Sequence, residues 1–226
     1  MSEIILMSDA RVAVVPVEEC GEPLADVRGS LLTDDRKHKD SHGAGLLLRR
    51  GVLDRLLTAE RLLPPGLRLL FVEGYRPPAL QRRYFEEYAA GLRALHPGWA
   101  PDRVRTAASR YVSPPEIAPH SAGAAVDLTL VGADGRELDL GTPVNASPEE
   151  SDGACCTDAP IGDRARAHRE ILRTALTAAG LVNYPTEWWH WSYGDRYWAL
   201  ATGAPAALYG PRDAIDVPGV DIPGIG

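Results

Sequence analysis

Three short stretches of the chain concentrate groups able to hold a metal or move a proton: Pro119-His120-Ser121-Ala122-Gly123-Ala124-Ala125-Val126-Asp127, Glu187-Trp188-Trp189-His190 and Glu73-Gly74-Tyr75-Arg76-Pro77. Two imidazoles and a carboxylate suit a catalytic zinc, which takes about three protein ligands and keeps one position open for water. His120, Asp127 and His190 are the candidate ligands, for one Zn²⁺ per chain. Gly123 lets the intervening chain fold back so that His120 and Asp127 reach one ion. Glu187 precedes His190 by three residues, where it can take a proton from activated water and return it to a leaving amine. Arg76 is a fixed cation suited to the oxyanion of a tetrahedral intermediate.

Each piece has a plainer reading. A lone histidine is more often an ordinary hydrogen-bonded residue, and tryptophans such as Trp188, Trp189 and Trp191 are more often packing. Asp127 could cap a turn, although an acid between Val126 and Leu128-Thr129-Leu130 is costly to bury without a partner. The His-Glu-x-x-His zinc helix is absent. The three stretches together are far more specific than any one.

The elements that must position these groups follow from apolar spacing and turn residues. Arg11–Val17 is Val-rich and predicts a strand, and Gly29–Gly43 a polar loop. Leucines at helical spacing predict a helix over Leu46–Leu63, ending before Pro64-Pro65. Leu67–Val72 predicts a buried strand. Pro77-Pro78 opens a helix to about Leu95, with Leu80, Tyr84, Tyr88, Leu92 and Leu95 along one side. Arg103–Tyr111 is a shorter helix. Ala124–Val131 and Glu137–Leu140 predict strands around an Ala133-Asp134-Gly135 turn. A polar loop over Gly141–Ile161 is long enough to be functional. Asp163–Ala179 predicts a helix capped by Gly180, then strands over Leu181–Tyr184 and Trp188–Tyr193. The Pro- and Gly-rich tail, residues 203–226, is expected to drape over the surface or fray. Helices and strands do not alternate as βαβ units, so the fold class is α+β: one domain over residues 1–226, an antiparallel sheet carrying the zinc site with helices packed on it.

The motifs resemble the D-alanyl-D-alanine dipeptidases of vancomycin resistance, zinc peptidases that share a fold with D,D-carboxypeptidases and the hedgehog signalling domain. That family carries Gly-Tyr-Arg-Pro, His-Ser-x-Gly-x-Ala-x-Asp followed by Leu-Thr-Leu, and Glu-Trp-Trp-His. Here these read Gly74-Tyr75-Arg76-Pro77, His120 through Asp127 with Leu128-Thr129-Leu130, and Glu187-Trp188-Trp189-His190, in the same order. The likeness spans about residues 67–193. It implies His120, Asp127 and His190 as ligands, Glu187 as base, Arg76 as transition-state stabiliser, and a short peptide as substrate. Tyr75, Ser121, Asn145 and Trp188 are expected around that substrate. Two positions depart from the family pattern. Ala118 stands where a serine precedes the first histidine, and Asn145 where an aspartate helps bind the dipeptide's amino group. Glu149, Glu150 and Asp152 lie in the same loop.

Bulk properties narrow the alternatives. The chain has 226 residues, 45% hydrophobic and 24% charged, with a formal net charge of −7. That sign gives no reason to expect a nucleic-acid partner. No apolar window approaches bilayer length, and no membrane partner is expected. The cysteines, Cys20, Cys155 and Cys156, are three in number and two are adjacent, which is no disulfide framework. The first residues lack a basic stretch followed by an apolar run, so a cytoplasmic protein is expected. Other readings are a carboxypeptidase of the same fold trimming longer cell-wall peptides, a zinc-stabilised binding module, and a cysteine hydrolase using Cys155 or Cys156 with His168. Glu187 and Arg76 speak against the binding module, since a structural zinc needs neither.

Overall fold

The computed structural model describes residues 4–33 and 43–213. In chain order its elements are α1 (Ala10–Ala13), β1 (Leu24–Asp26), β2 (Leu32–Thr33), β3 (Leu47–Arg49), α2 (Arg50–Leu62), β4 (Arg68–Glu73), α3 (Pro78–Leu95), α4 (Pro101–Ala108), β5 (Ala125–Val131), α5 (Asp163–Ala178), β6 (Val182–Asn183), β7 (His190–Ser192) and α6 (Arg196–Thr202). Five strands form the main sheet in the order β2-β4-β5-β7-β6. The β2–β4 pair is parallel and the other neighbours are antiparallel. The fold is thus α+β, as the sequence predicts, with a mainly antiparallel sheet. A separate ribbon joins β1 to β3.

All of β5 is buried, so its two faces must each be covered. Alternation sends Val126, Leu128 and Leu130 to one face. There they join Leu69 and Phe71 of β4, Leu53 and Leu56 of α2, and Leu172 and Leu176 of α5 in the main core. Truncating a buried leucine in such a cluster costs about 2–5 kcal/mol. The opposite face carries Asp127. His190 of β7 pairs directly with it, and directly paired residues share a face.

β4 contains a bulge that matters for the site. Phe71 pairs with Leu128 and Glu73 with Asp127, leaving Val72 as an extra residue. Phe71 and Val72 both enter the core. Glu73 therefore lies across from Asp127 and not with Phe71, because one inserted residue reverses the alternation that follows it.

Several expectations are corrected. Of the Arg11–Val17 stretch, Arg11–Ala13 lies in the short helix α1, which the Asp9 side chain caps by accepting from the Arg11 N–H, and Val17 makes only a bridge to Ala207. Only part of the Leu46–Leu63 pattern is helix: Leu47–Arg49 is held in β3 by pairing with β1, and the helix starts at Arg50. The predicted Gly29–Gly43 loop contains β2, and residues 34–42 lie outside the described residues. The helix expected over Arg103–Tyr111 begins earlier, with Pro101 in its first turn, and ends at Ala108. Glu137–Leu140 makes only a bridge from Glu137 to Val131 and a bond from Leu138 N–H to the Leu130 carbonyl. α6 goes unpredicted, although Asp195 caps it by accepting from the Tyr197 and Trp198 N–H groups.

The tail is also corrected as far as Asp213. Ala206, Ala207 and Tyr209 are buried. Ala207 bridges Val17, and the Arg212 N–H donates to the Ser121 carbonyl at 2.9 Å. Residues 214–226 lie outside the described residues. Arg49, fully buried, ties these segments together. It donates to the Ala122 carbonyl at 2.8 Å, to both Glu19 carboxylate oxygens at 2.9 Å, and to the Glu22 and Gly210 carbonyls. Both ends of the described chain are thereby fastened to the turn that carries His120. Among the described residues, no helix is long and apolar enough to cross a membrane.

Candidate active site

His120 sits in a 3-10 turn, Pro119–Ala122, that ends at Gly123 with φ +65°. A Cβ on Gly123 would meet only the tip of the Leu24 side chain closely, at 2.3 Å, so the turn favours glycine chiefly for its backbone angle. His120 Nδ1 lies 2.6 Å from the Gly74 carbonyl oxygen. A carbonyl only accepts, so Nδ1 carries the proton and Nε2 presents its lone pair. Gly74 is itself fixed, since a Cβ there would meet the Leu47 carbonyl at 2.4 Å.

His120 Nε2 faces His190 Nδ1 at 3.2 Å and Asp127 Oδ1 at 3.4 Å. His190 Nδ1 lies 3.0 Å from Asp127 Oδ1. His190 Nε2 is buried, with no hydrogen-bond partner among the described residues. All three residues are buried, and they form a group able to hold a metal ion. Zinc bonds of about 2.0–2.1 Å in tetrahedral array separate neighbouring donors by about 3.3 Å, which matches these spacings. Three electron-rich atoms this close, one fixed in its lone-pair form, call for a cation between them. Zinc fits the donor set.

The electrostatics of the protein groups agree. Burial pushes the Asp127 carboxyl up, but the charges and hydrogen bonds of His120 and His190 outweigh it and hold Asp127 well below the usual carboxylate range. Burial lowers the His190 imidazole, against the pull of Asp127, and so favours the neutral ring that ligates metals.

Glu187 lies beside this group, its Oε2 3.8 Å from His190 Nδ1. Burial, then the charge of Asp127, raise its carboxyl well above the ordinary value, while Arg76 pulls the other way. Arg76 is gripped by Glu73 through two bonds of 2.7 Å, and its Nη1 donates to Gln81 Oε1 at 2.9 Å. Gln81 in turn donates to the Ser113 carbonyl at 2.7 Å. Burial pushes Glu73 up, but the Arg76 charge and hydrogen bonds prevail and keep it ionised. A planar fork held on two sides is aimed, not merely present.

These groups line a cavity of about 320 Å³. Glu73, Arg76, His120, Asp127, Asn145, Glu187 and His190 all border it. Its outer wall comes from Tyr84 and Tyr88 of α3, with Tyr111 and Val112 beyond α4. α3 and α4 hold each other through Ala89, Leu92, Val104 and Ala108. The Tyr88 hydroxyl donates to Glu149 at 2.6 Å, and the Tyr111 hydroxyl to the Asn145 carbonyl at 2.8 Å. Both bonds tie the 141–161 loop to the wall. Asn145 adopts φ +64°, a left-handed conformation that asparagine tolerates better than most residues.

Three expected substrate contacts do not reach the cavity. Tyr75 is fully buried and donates to the Arg212 carbonyl at 2.7 Å. Ser121 donates to the Arg76 carbonyl at 3.0 Å, bracing the arginine from behind. Trp188 packs in the core and donates to Thr142 Oγ1 at 2.8 Å. Glu73, Gln81, Tyr84, Tyr88 and Tyr111 go unassigned from sequence. The helical stripe Leu80-Tyr84-Tyr88 reads as a packing face, and its only hint of function is that two of its members carry hydroxyls. His168 donates to the Asp139 carbonyl at 2.7 Å.

Comparison with known proteins gives the family. A family model described as D-ala-D-ala dipeptidase, of the peptidase M15 group, matches residues 36–202. A D-alanyl-D-alanine dipeptidase of Synechocystis sp. is 31% identical over 223 residues, covering 82% of this chain and 87% of the relative. The D-alanyl-D-alanine dipeptidase of Enterococcus faecium is 30% identical over 151 residues, covering 63% of this chain and 70% of the relative. The solved structure of a vancomycin-resistance D,D-pentapeptidase, VanY, in complex with Zn(II) is similar at 19% identity over 76% of this chain and 84% of its own, with a TM-score of 0.41. The chain belongs to the D-alanyl-D-alanine dipeptidase family of zinc metallopeptidases.

Proposed function

We propose that this protein hydrolyses D-alanyl-D-alanine or a closely related dipeptide, with His120 Nε2, Asp127 Oδ1 and His190 Nδ1 holding one zinc ion. The observation that carries this reading is the convergence of three donors, 3.0–3.4 Å apart, on a cavity that also contains Glu187 and a clamped Arg76. When bound, zinc supplies Lewis acidity, polarising the scissile carbonyl and acidifying water. Glu187 accepts the proton released as water attacks and passes it to the departing amine. Its buried, raised carboxyl suits both directions of that transfer, since a base that is too weak cannot take the proton and one too strong cannot return it. The free donor capacity of Arg76 turns to the oxyanion, with Glu73 and Gln81 keeping the guanidinium still while charge develops.

A second reading has its own support. Asn145, which borders the cavity, carries no charge to pair with an ammonium. A carboxypeptidase of the same fold, acting on longer cell-wall peptides, has no free amino group to pair at that point. The deciding experiment combines zinc analysis with turnover of D,D-, L,D-, D,L- and L,L-dipeptides, each free and N-acetylated. Hydrolysis confined to free D,D-dipeptides supports the dipeptidase. Preference for N-acetylated or longer substrates favours the carboxypeptidase, and no hydrolysis by the zinc-loaded protein defeats both.

A further inference from the structure

The register of the sheet places His190 against Asp127, but it does not place Glu187. β7 begins at His190, and Glu187 lies before it, in the turn that leads out of β6. Hydrogen bonds hold its backbone there. The Glu187 N–H donates to the Tyr184 carbonyl at 2.9 Å, and the Glu187 carbonyl accepts from the His190 N–H at 3.2 Å. Both are backbone bonds, independent of which side chains the turn carries. The Glu187 carbonyl also accepts from Asn183 Nδ2 at 3.0 Å, and the same Nδ2 donates to the His190 carbonyl at 2.9 Å. One side-chain amide therefore spans the residue that carries the base and the residue that carries a metal donor.

Asn183 is itself oriented. Carbonyls only accept, so the two N–H groups of the amide must face them, and Oδ1 must face the other way. There Thr157 Oγ1 donates to Oδ1 at 2.5 Å. Thr157 belongs to the 141–161 loop and is fixed on the backbone side as well. Its N–H donates to the Pro185 carbonyl at 3.0 Å, and its carbonyl accepts from Arg169 Nη1 at 3.1 Å. A flipped amide would set Oδ1 against two carbonyls and waste the hydroxyl. Strand pairing does not demand any of this, because β6 meets β7 through the Val182–Ser192 and Asn183–Trp191 pairs whatever side chain stands at 183.

We infer that Asn183 is a positioning residue for Glu187, locked in its orientation by Thr157. The inference rests on Glu187 serving as the base. A catalytic group works when neighbouring bonds hold it within about 0.5 Å of its productive place, and a displacement of about 1 Å costs on the order of a hundredfold in rate. Without the amide, the Glu187 carbonyl is held only by the turn's own backbone, and the carboxylate can drift relative to His190 while the Asp127–His190 pair stays in register.

The test is a cycle on the zinc-loaded full chain: Asn183→Ala, Glu187→Gln and the double variant. Zinc content, kcat and KM are measured with D-alanyl-D-alanine, or with its N-acetyl form if that turns over faster. Asn183→Ala is expected to keep zinc and to lower kcat about tenfold or more, with KM changed less than about twofold. In the Glu187→Gln background the same substitution should lower kcat less than about twofold. A residue that only supported the fold would lower both backgrounds alike. Thr157→Val, which keeps the shape and removes the donor, should lower kcat about threefold or more, and Thr157→Ser should restore it. That pair decides the matter if Asn183→Ala folds poorly. Equal losses in the two backgrounds, an unchanged kcat in Asn183→Ala, or a Thr157→Val protein as active as Thr157→Ser overturns the inference. Near-normal turnover by Glu187→Gln defeats the base and this inference together, whereas an impaired Glu187→Gln beside a fully active Asn183→Ala defeats this inference alone.

Discussion

The floor of the cavity and its outer wall are held in place by different means. On the floor, Asp127 and His190 are direct neighbours in a strand ladder, and His120 is fixed by a bond to the Gly74 backbone. Their positions follow from the register of the sheet, which the core on its other face enforces. On the wall, the loop meets α3 and the segment beyond α4 through two tyrosine hydroxyls, those of Tyr88 and Tyr111. A single substitution can remove either bond without disturbing a ladder. The candidate metal ligands are therefore held where change is expensive, and the wall of the cavity is held where change is cheap.

The most severe way to break this division is to remove a ligand. His190→Ala is expected to abolish tight zinc binding and lower kcat/KM about a thousandfold or more, read by metal content after desalting and by turnover. A variant that keeps zinc at the original affinity would place the metal elsewhere. Glu187→Gln separates binding from chemistry on the same floor. It should retain zinc yet lose about 10²–10⁴-fold in kcat, since the amide keeps the shape and cannot accept the proton. Near-normal turnover would remove Glu187 as the base.

Arg76→Ala should cost about 10²–10³-fold, mostly in kcat. Glu73→Gln, which loosens the clamp while sparing the arginine, should cost about tenfold. If Glu73→Gln proves as damaging as Arg76→Ala, the carboxylate does more than position. On the wall the effects shrink. Asn145→Asp should shift preference toward the free dipeptide over its N-acetyl form by about three- to tenfold, leaving zinc affinity alone. Tyr88→Phe is the mildest, with about 0.5–1.5 kcal/mol lost from one partly exposed hydrogen bond. It should be seen as a modest rise in KM at nearly constant kcat. A wall variant that reduces zinc affinity would erase the distinction between the two regions.

Much of the floor was legible in the sequence because its residues are chemically unusual where they stand. Asp127 interrupts an apolar run, and Glu187 and His190 frame two tryptophans. What could not be read was the set of partners that are backbone atoms or distant in sequence. The Gly74 carbonyl that fixes the His120 tautomer has no residue signature, and neither do the five acceptors around Arg49. The wall was misread for another reason. Tyr84 and Tyr88 repeat at helical spacing, and periodicity alone does not distinguish a stripe that packs from one that lines a cavity. α1 was mistaken for a strand because the valines of residues 11–17 outweighed a cap at Asp9 that acts through one hydrogen bond. The tail was expected loose from its Pro and Gly content, yet Ala206, Ala207 and Tyr209 are buried, and composition carries no record of what a small residue packs against.

The bulge at Val72 makes the arginine anchor a matter of odd and even numbers. In an unbroken ladder every second residue of β4 faces the helices, so Phe71 and Glu73 would share a face and the carboxylate would turn into the leucine core. Because Val72 is the uncounted residue, Glu73 comes instead to Asp127 and can hold Arg76. Deleting Val72 should therefore spare the anchor, since Phe71 and Glu73 would become consecutive and alternate of their own accord. Inserting one apolar residue between Val72 and Glu73 should do the opposite: hydropathy would register almost nothing, yet parity would invert from Glu73 onward and Arg76 would lose its grip. Such an insertion should yield a protein that still builds most of its sheet and loses its catalysis. A single added residue at this point in any relative's sequence is therefore a change of wiring and not of length.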